Sequence, residues 1–176
     1  MKNKIGCRVK NQKFLRLAEW NVRTLIDRAG SKRPEHQTAL VAKELNRYDI
    51  DIAAIGQTRL PPHDSIAESE YTFFWSRREV AEMREVGIRS NIKNSIVQCL
   101  EQKPTSVNDR IITMRLPQKK NAYAMIISVY AVDMNPEDIK EGLYSTLRDI
   151  VKAVSITENL ITAGDFKSKF GRDVAN

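Results

Sequence analysis

The sequence predicts a mixed α/β or α+β domain in which helices cover strand-rich sheets. Residues 34–47 and 136–154 carry apolar side chains at helical spacing, and short apolar or alternating segments around them are typical of strands. With 176 residues, 41% of them hydrophobic, the chain is long enough for one domain with a core of its own.

The elements of the first third follow from their periodicity. Residues 14–21 alternate as a strand, with Leu17 and Trp20 on opposite faces and Trp20 in the core. Residues 34–47 predict a helix, because the proline and glutamate at its start suit a first helical turn. Residues 50–56 form a nearly continuous apolar run, which predicts a buried strand.

The middle of the chain predicts several strands and one exposed segment. Residues 77–84 carry too many charges for a core strand and predict an exposed hairpin or loop. Phe74 and Trp75 could stack on a nucleic-acid base, but packing in the core suits them better. The expected strands cover residues 71–75, 86–92, 95–100, 110–116 and 123–130.

The last third predicts a helix and a final strand. Asn135, Pro136 and the two acids that follow form a helix-start signature, and apolar residues then recur at helical spacing as far as Val154. Residues 160–163 predict a strand that leads directly into Asp165. At the other end of the chain, residues 1–13 are polar and basic and predict a flexible leader.

The chain is basic overall, with a formal net charge of +7 and a pI of about 9.5. Such a charge favours contact with nucleic acid, whatever its sequence, although a surplus for solubility is the alternative. No apolar run approaches the ~18 residues of a membrane span, so we expect no membrane partner.

Cysteine and histidine usage argues against a disulfide framework and a zinc site. Without a secretory signal, Cys7 and Cys99 are expected to be free thiols of an intracellular protein. With His36 and His63 as the only histidines, a zinc site is not expected.

Four polar residues lie where predicted buried strands end: Asn21, Gln57, Tyr130 and Asp165. Because open α/β sheets place their ligands at strand ends, these residues could together hold a phosphate and a hard cation. The alternative is that polar residues end strands simply because strands end at the surface.

Five short motifs surround these positions and occur in a fixed order. They are WNVRTL at 20–25, QTR at 57–59, NDRIITMR at 108–115, SVYA at 128–131 and GDFK at 164–167. From about residue 15 to 171 the chain thereby resembles the exonuclease–endonuclease–phosphatase family, which includes DNase I. It is most similar to the endonuclease domains of LINE retrotransposons and to craniofacial development protein 2-like proteins.

This resemblance implies a DNase I-like four-layer sandwich of two β-sheets flanked by helices. It also implies hydrolysis of DNA phosphodiester bonds with Mg²⁺, in which Asn21 and the position of Gln57 help to hold the metal. Tyr130 would contact the scissile phosphate or the attacking water. Asp165 would belong to the metal site and orient or deprotonate that water.

The sequence departs from the family pattern at Gln57 and Lys167. Gln57 stands where the family has a metal-binding glutamate, and a carboxamide carries no charge, so Mg²⁺ should bind weakly if at all. Lys167 replaces an asparagine and would compete with the metal beside Asp165, unless it grips the substrate phosphate instead. The family continues to an Asp–His pair, so we expect a C-terminally incomplete domain over 14–176 without the catalytic histidine.

Two functions of different classes follow from these departures. One is a weak or inactive Mg²⁺-dependent DNA endonuclease, and the other is a binding module for nucleic acid or protein that keeps the fold without the chemistry. DNA is the expected partner, contacted through Arg23, Arg59 and Lys167, and the expected location is nuclear. Uncovered sheet edges further predict self-association.

Overall fold

The computed structural model describes residues 14–21, 34–56, 65–75, 88–118, 122–131 and 137–166. The predicted leader at 1–13 and the arginine-rich segment at 77–84 lie outside these residues. The elements of the described part are β1 (Leu17–Asn21), α1 (Pro34–Arg47), β2 (Ile52–Gly56), β3 (Ser65–Glu68), β4 (Tyr71–Trp75), β5 (Ile88–Lys93), α2 (Asn94–Val97), β6 (Thr105–Asn108), β7 (Ile111–Pro117), β8 (Tyr123–Tyr130), α3 (Glu137–Ala153) and β9 (Asn159–Asp165).

The first sheet has five strands in the order β1-β2-β5-β4-β3. β1 and β2 are parallel, with Leu17 opposite Ile52 and Asn21 opposite Gly56. The remaining neighbours are antiparallel. Because a parallel pair needs a long crossover connection, α1 lies between β1 and β2 in the chain.

The second sheet has four strands in the order β6-β7-β8-β9. β7 is antiparallel to both β6 and β8, whereas β8 and β9 are parallel. In that parallel pair Ala124 lies opposite Asn159 and Tyr130 opposite Asp165. The crossover between β8 and β9 contains α3.

The two sheets pack face to face through alternate residues of their strands. Burial of these apolar faces is the main favourable contribution to the stability of such a sandwich. At one end of the interface the core cluster includes Ile52, Phe74, Ile92, Met114 and Ile126, and at the other end Ala54, Ile88, Ile112 and Tyr130. Phe74 therefore packs in the core, as the sequence predicted.

Each sheet carries a helix on its outer face. α1 packs onto the first sheet through Val41, Ala42 and Leu45, in a cluster to which Trp20 also belongs. α3 packs onto the second sheet through its buried Leu143. The order helix, sheet, sheet, helix confirms the predicted sandwich. No helix in the described part of the chain is long and apolar enough to span a membrane.

One predicted strand is wrong, because residues 95–100 lie in and just after the short helix α2. Ile96 is buried, and Val97 and Leu100 pack against the same core cluster. These three positions have the spacing of one helical turn and not the alternation of a strand.

The expectation of free thiols is also wrong for Cys99, which forms a disulfide and is 7% exposed. Disulfide formation depends on the distance between two cysteines in the folded chain, which their spacing in the sequence does not show. The other cysteine, Cys7, lies outside the described residues.

Candidate active site

Two parallel strand pairs, one in each sheet, end at the same edge of the sandwich. Asn21 and Gly56 close β1 and β2, and Tyr130 and Asp165 close β8 and β9. Strands β1 and β2 lie against β9, and β2 also lies against β8. The structure therefore brings the backbone of Asn21 to the same edge as Tyr130 and Asp165.

Gly56 and Tyr130 make the closest contact between the sheets at this edge. A Cβ atom at position 56 would overlap the ring carbons Cδ2 and Cε2 of Tyr130. Only glycine lets the backbone of β2 approach the ring this closely. Sequence reasoning did not identify Gly56 as part of the site, although a glycine that closes a buried strand is a recognisable signal.

Tyr130 and Asp165 are neighbours across the parallel ladder, and both are buried, with 1% and 8% of their surfaces exposed. The amide of Ala131 donates a hydrogen bond to the carbonyl of Asp165 over 2.9 Å, which continues the ladder past the tyrosine. Ile126 and Ile161 are an opposite pair of the same face and pack in the inter-sheet core. Strand alternation therefore places Tyr130 and Asp165 on the face towards the first sheet.

Arg110 adds a positive charge beside the tyrosine. Its guanidinium carbon lies 6.0 Å from the centre of the Tyr130 ring, and its backbone carbonyl accepts a 2.9 Å hydrogen bond from the Tyr130 amide. The guanidinium also lies 3.9 Å from the carboxylate of Asp109. Sequence reasoning did not predict that Arg110 lies close to the site.

A hydrogen bond between two buried hydroxyls joins the two sheets close to the site. The Ser90 hydroxyl of β5 donates to the Ser128 hydroxyl of β8 over 3.0 Å, and both serines are at most 3% exposed. Ser128 shares a strand face with Tyr130, two residues away. The bond therefore helps to fix the position of Tyr130 on β8 relative to the first sheet.

Several residues proposed from the sequence fall outside the described part of the chain. These are Gln57, Arg23, Arg59 and Lys167, as well as the side chain of Asn21. Glu19, which shares a strand face with Asn21, is described and exposed.

The described residues offer few ligands for a Mg²⁺ ion at this edge. None of their His, Cys, Asp and Glu side chains form a group of three or more that could hold a metal. Mg²⁺ nevertheless binds proteins through one or two carboxylates and keeps several waters. Asp165 fits that requirement as a single carboxylate at the strand ends.

A solved structure has a similar fold. The chain is similar in structure to the endonuclease domain of TRAS1, a telomere-specific non-LTR retrotransposon, with a TM-score of 0.57 and 16% sequence identity. The match covers 88% of this chain and 60% of the TRAS1 chain. No model of a protein family matches the chain, and neither does any curated protein. The likeness shows a DNase I-like fold.

Proposed function

We propose that the chain is a DNA endonuclease domain of the LINE type, which hydrolyses phosphodiester bonds with Mg²⁺ and has low activity in this copy. The observation that carries the proposal is the pairing of Tyr130 with Asp165 at the edge where β1, β2, β8 and β9 all end. The structural similarity of the chain to the endonuclease domain of TRAS1 supports the proposal.

In this proposal Asp165 is the general base. Its carboxylate accepts a hydrogen bond from the attacking water and holds that water in line with the phosphorus atom. The Tyr130 hydroxyl would donate a hydrogen bond to a phosphate oxygen, and Asn21 would supply an amide oxygen to the metal. Bound Mg²⁺ would neutralise the charge that builds on the phosphate oxygens.

Charge explains why the activity is expected to be low. Gln57 brings no negative charge to the metal, so Asp165 has to hold it without the carboxylate that the resemblance implies. Lys167 follows Asp165 by two residues, and its ammonium group favours pairing with that carboxylate over metal binding. Both departures weaken binding of the metal more than they weaken contact with DNA.

The test is nicking of supercoiled plasmid with and without Mg²⁺ by the unchanged chain, by Asp165→Asn and by Asp149→Asn. Asp149 is an exposed aspartate of α3, so its variant controls for the lost charge and for contaminating nuclease. We expect slow Mg²⁺-dependent nicking by the unchanged chain and by Asp149→Asn, and none by Asp165→Asn. Equal nicking by all three chains would reject the proposed site.

A non-catalytic binding module is the second candidate, and the single carboxylate at the strand ends favours it. In that case the net charge of +7 would serve only to hold DNA, through the proposed contacts of Arg23, Arg59 and Lys167. This candidate predicts salt-dependent DNA binding that Asp165→Asn leaves unchanged, together with no nicking by any chain at any Mg²⁺ concentration.

We also propose that the chain self-associates through the edge of a sheet. Within the described residues β9 is an edge strand, and Leu160 on it is 40% exposed. An unpaired edge with exposed apolar side chains can pair with another chain. Sedimentation of the isolated chain at several concentrations tests it, and a monomer throughout the range would contradict it.

A further inference from the structure

Three polar groups lie in the apolar core between the first sheet and α1. Arg89 of β5 lies opposite Ile55 and Trp75, and Asn91 lies opposite Ala53 and Phe73. Ile55, Ala53 and Phe73 all belong to the core cluster that α1 covers. Arg89 is 4% exposed and Asn91 is completely buried.

These groups lack the hydrogen bonds that burial normally requires. Among the described residues, Nε and Nη2 of Arg89, both amide atoms of Asn91 and the Nε1 atom of Trp75 are buried without a partner. The Arg89 guanidinium lies 5.2 Å from the centre of the Trp75 ring, which is a cation–π distance but leaves its N–H groups unused. Burial lowers the pKa of Arg89 below its ordinary value.

The unused atoms have the composition of an anion site. Four of them are nitrogens that donate, and one is an oxygen, Oδ1 of Asn91, that accepts. The positively charged guanidinium excludes a metal cation. A nucleobase would need more hydrogen-bond acceptors than the one oxygen among these atoms. The Nε and Nη2 atoms of arginine point in parallel and match two oxygens of one anion.

We propose that Arg89, Asn91 and Trp75 form a buried binding site for a phosphate-like oxyanion on the face of the first sheet opposite the candidate active site. Donors come from two positions along β5 and from the neighbouring strand β4, so they approach from several directions. A tetrahedral anion offers oxygens in several directions, whereas a carboxylate offers two in one plane. The proposal does not depend on nuclease activity.

The anion could be free phosphate or a phosphate group of a nucleic acid, and thermal unfolding separates the two. The chain is melted in sodium phosphate, in sodium chloride of equal ionic strength, and in chloride with a short single-stranded oligonucleotide. We expect phosphate at about a hundredfold excess over Kd to raise Tm by about 5–10 °C. A similar rise with the oligonucleotide would identify the nucleic acid as a source.

Variants show whether the rise comes from this site. Arg89→Met removes the buried charge, so it should melt at a higher temperature than the unchanged chain in chloride and show less than a third of the phosphate increment. Arg89→Lys keeps the charge without the paired N–H groups, and Asn91→Leu removes the amide; each should at least halve the increment. Arg115→Met is the matched control, because Arg115 is an exposed strand arginine paired with Glu158, and it should keep the full increment.

Two results would overturn the proposal. One is an equal phosphate increment in the unchanged chain and in all Arg89 and Asn91 variants, since phosphate would then bind elsewhere on the basic surface. The other is a lower Tm of Arg89→Met in chloride with no phosphate response in any chain, because a carboxylate of the chain would then already neutralise Arg89. If Arg89→Met fails to fold, Arg89→Lys and Asn91→Leu decide the outcome.

Discussion

Gly56 of the first sheet lies directly against the ring of Tyr130 in the second sheet, with no room for a Cβ atom between them. This contact is where the two parallel strand pairs meet, so it sets the distance between the ends of β2 and β8. The position of Tyr130 relative to Asp165 then follows from the ladder between β8 and β9.

Gly56→Ala should therefore displace Tyr130 and destabilise the fold. Overpacking of a close contact costs about 1–3 kcal/mol, and urea unfolding measures this loss. Gly142→Ala is the control, because a Cβ atom there meets nothing within 4 Å and alanine favours the helix α3. Equal stability of Gly56→Ala and the unchanged chain would show that the two sheets are not held this closely.

The Ser90–Ser128 pair predicts a non-additive result. Ser90→Ala or Ser128→Ala alone leaves the other buried hydroxyl without this partner, which costs about 1–3 kcal/mol. The double variant removes both hydroxyls, so it should cost less than the sum of the two single variants. Additive losses in a double-mutant cycle would mean that the hydroxyls do not interact in solution.

Tyr71 predicts a dependence of stability on pH. Its hydroxyl donates to the Ile50 carbonyl over 2.6 Å, and burial is the main reason that its pKa is raised above 10.0. Because the pKa is raised in the folded state, Tyr71 makes its full contribution to folding stability below pH 10. That contribution is lost as the pH rises further.

Stability measured from pH 8 to 11 tests this prediction. Tyr71→Phe should lose about 1 kcal/mol at pH 8, because the hydrogen bond is gone, and should decline less than the unchanged chain above pH 10. Tyr48→Phe, at a position 60% exposed, should change stability by less than about 0.5 kcal/mol at pH 8. Parallel pH profiles of the unchanged chain and Tyr71→Phe would contradict the prediction.

Periodicity was sufficient to predict the longer elements of the fold. The strand over 123–130 and the helix over 34–47 have the predicted bounds, because their apolar residues repeat over several turns or alternations. The strands β3 and β6 were not predicted, since each has only four residues and neither has a continuous buried face. Apolar residues of α1 differ in burial, since Leu45 is buried whereas Leu40 is 55% exposed.

The candidate site was predicted to the extent that it depends on strand ends. Tyr130 and Asp165 close predicted strands, so their place at the edge of a sheet followed from the sequence. The contact of Gly56 with Tyr130 and the bond between Ser90 and Ser128 join different sheets. Pairings between sheets depend on which faces pack together, and no local pattern contains that information.

The most direct test of the account is Mg²⁺-dependent plasmid nicking by Gln57→Glu, measured beside the unchanged chain over a wide range of Mg²⁺ concentrations. If Asp165 and Tyr130 form a site that is limited by weak metal binding, the restored carboxylate should increase nicking and lower the Mg²⁺ concentration required at half-maximal rate, by about tenfold or more. The gain should disappear in the double variant Gln57→Glu with Asp165→Asn. No gain at any Mg²⁺ concentration would contradict the account and leave DNA binding as the function to pursue.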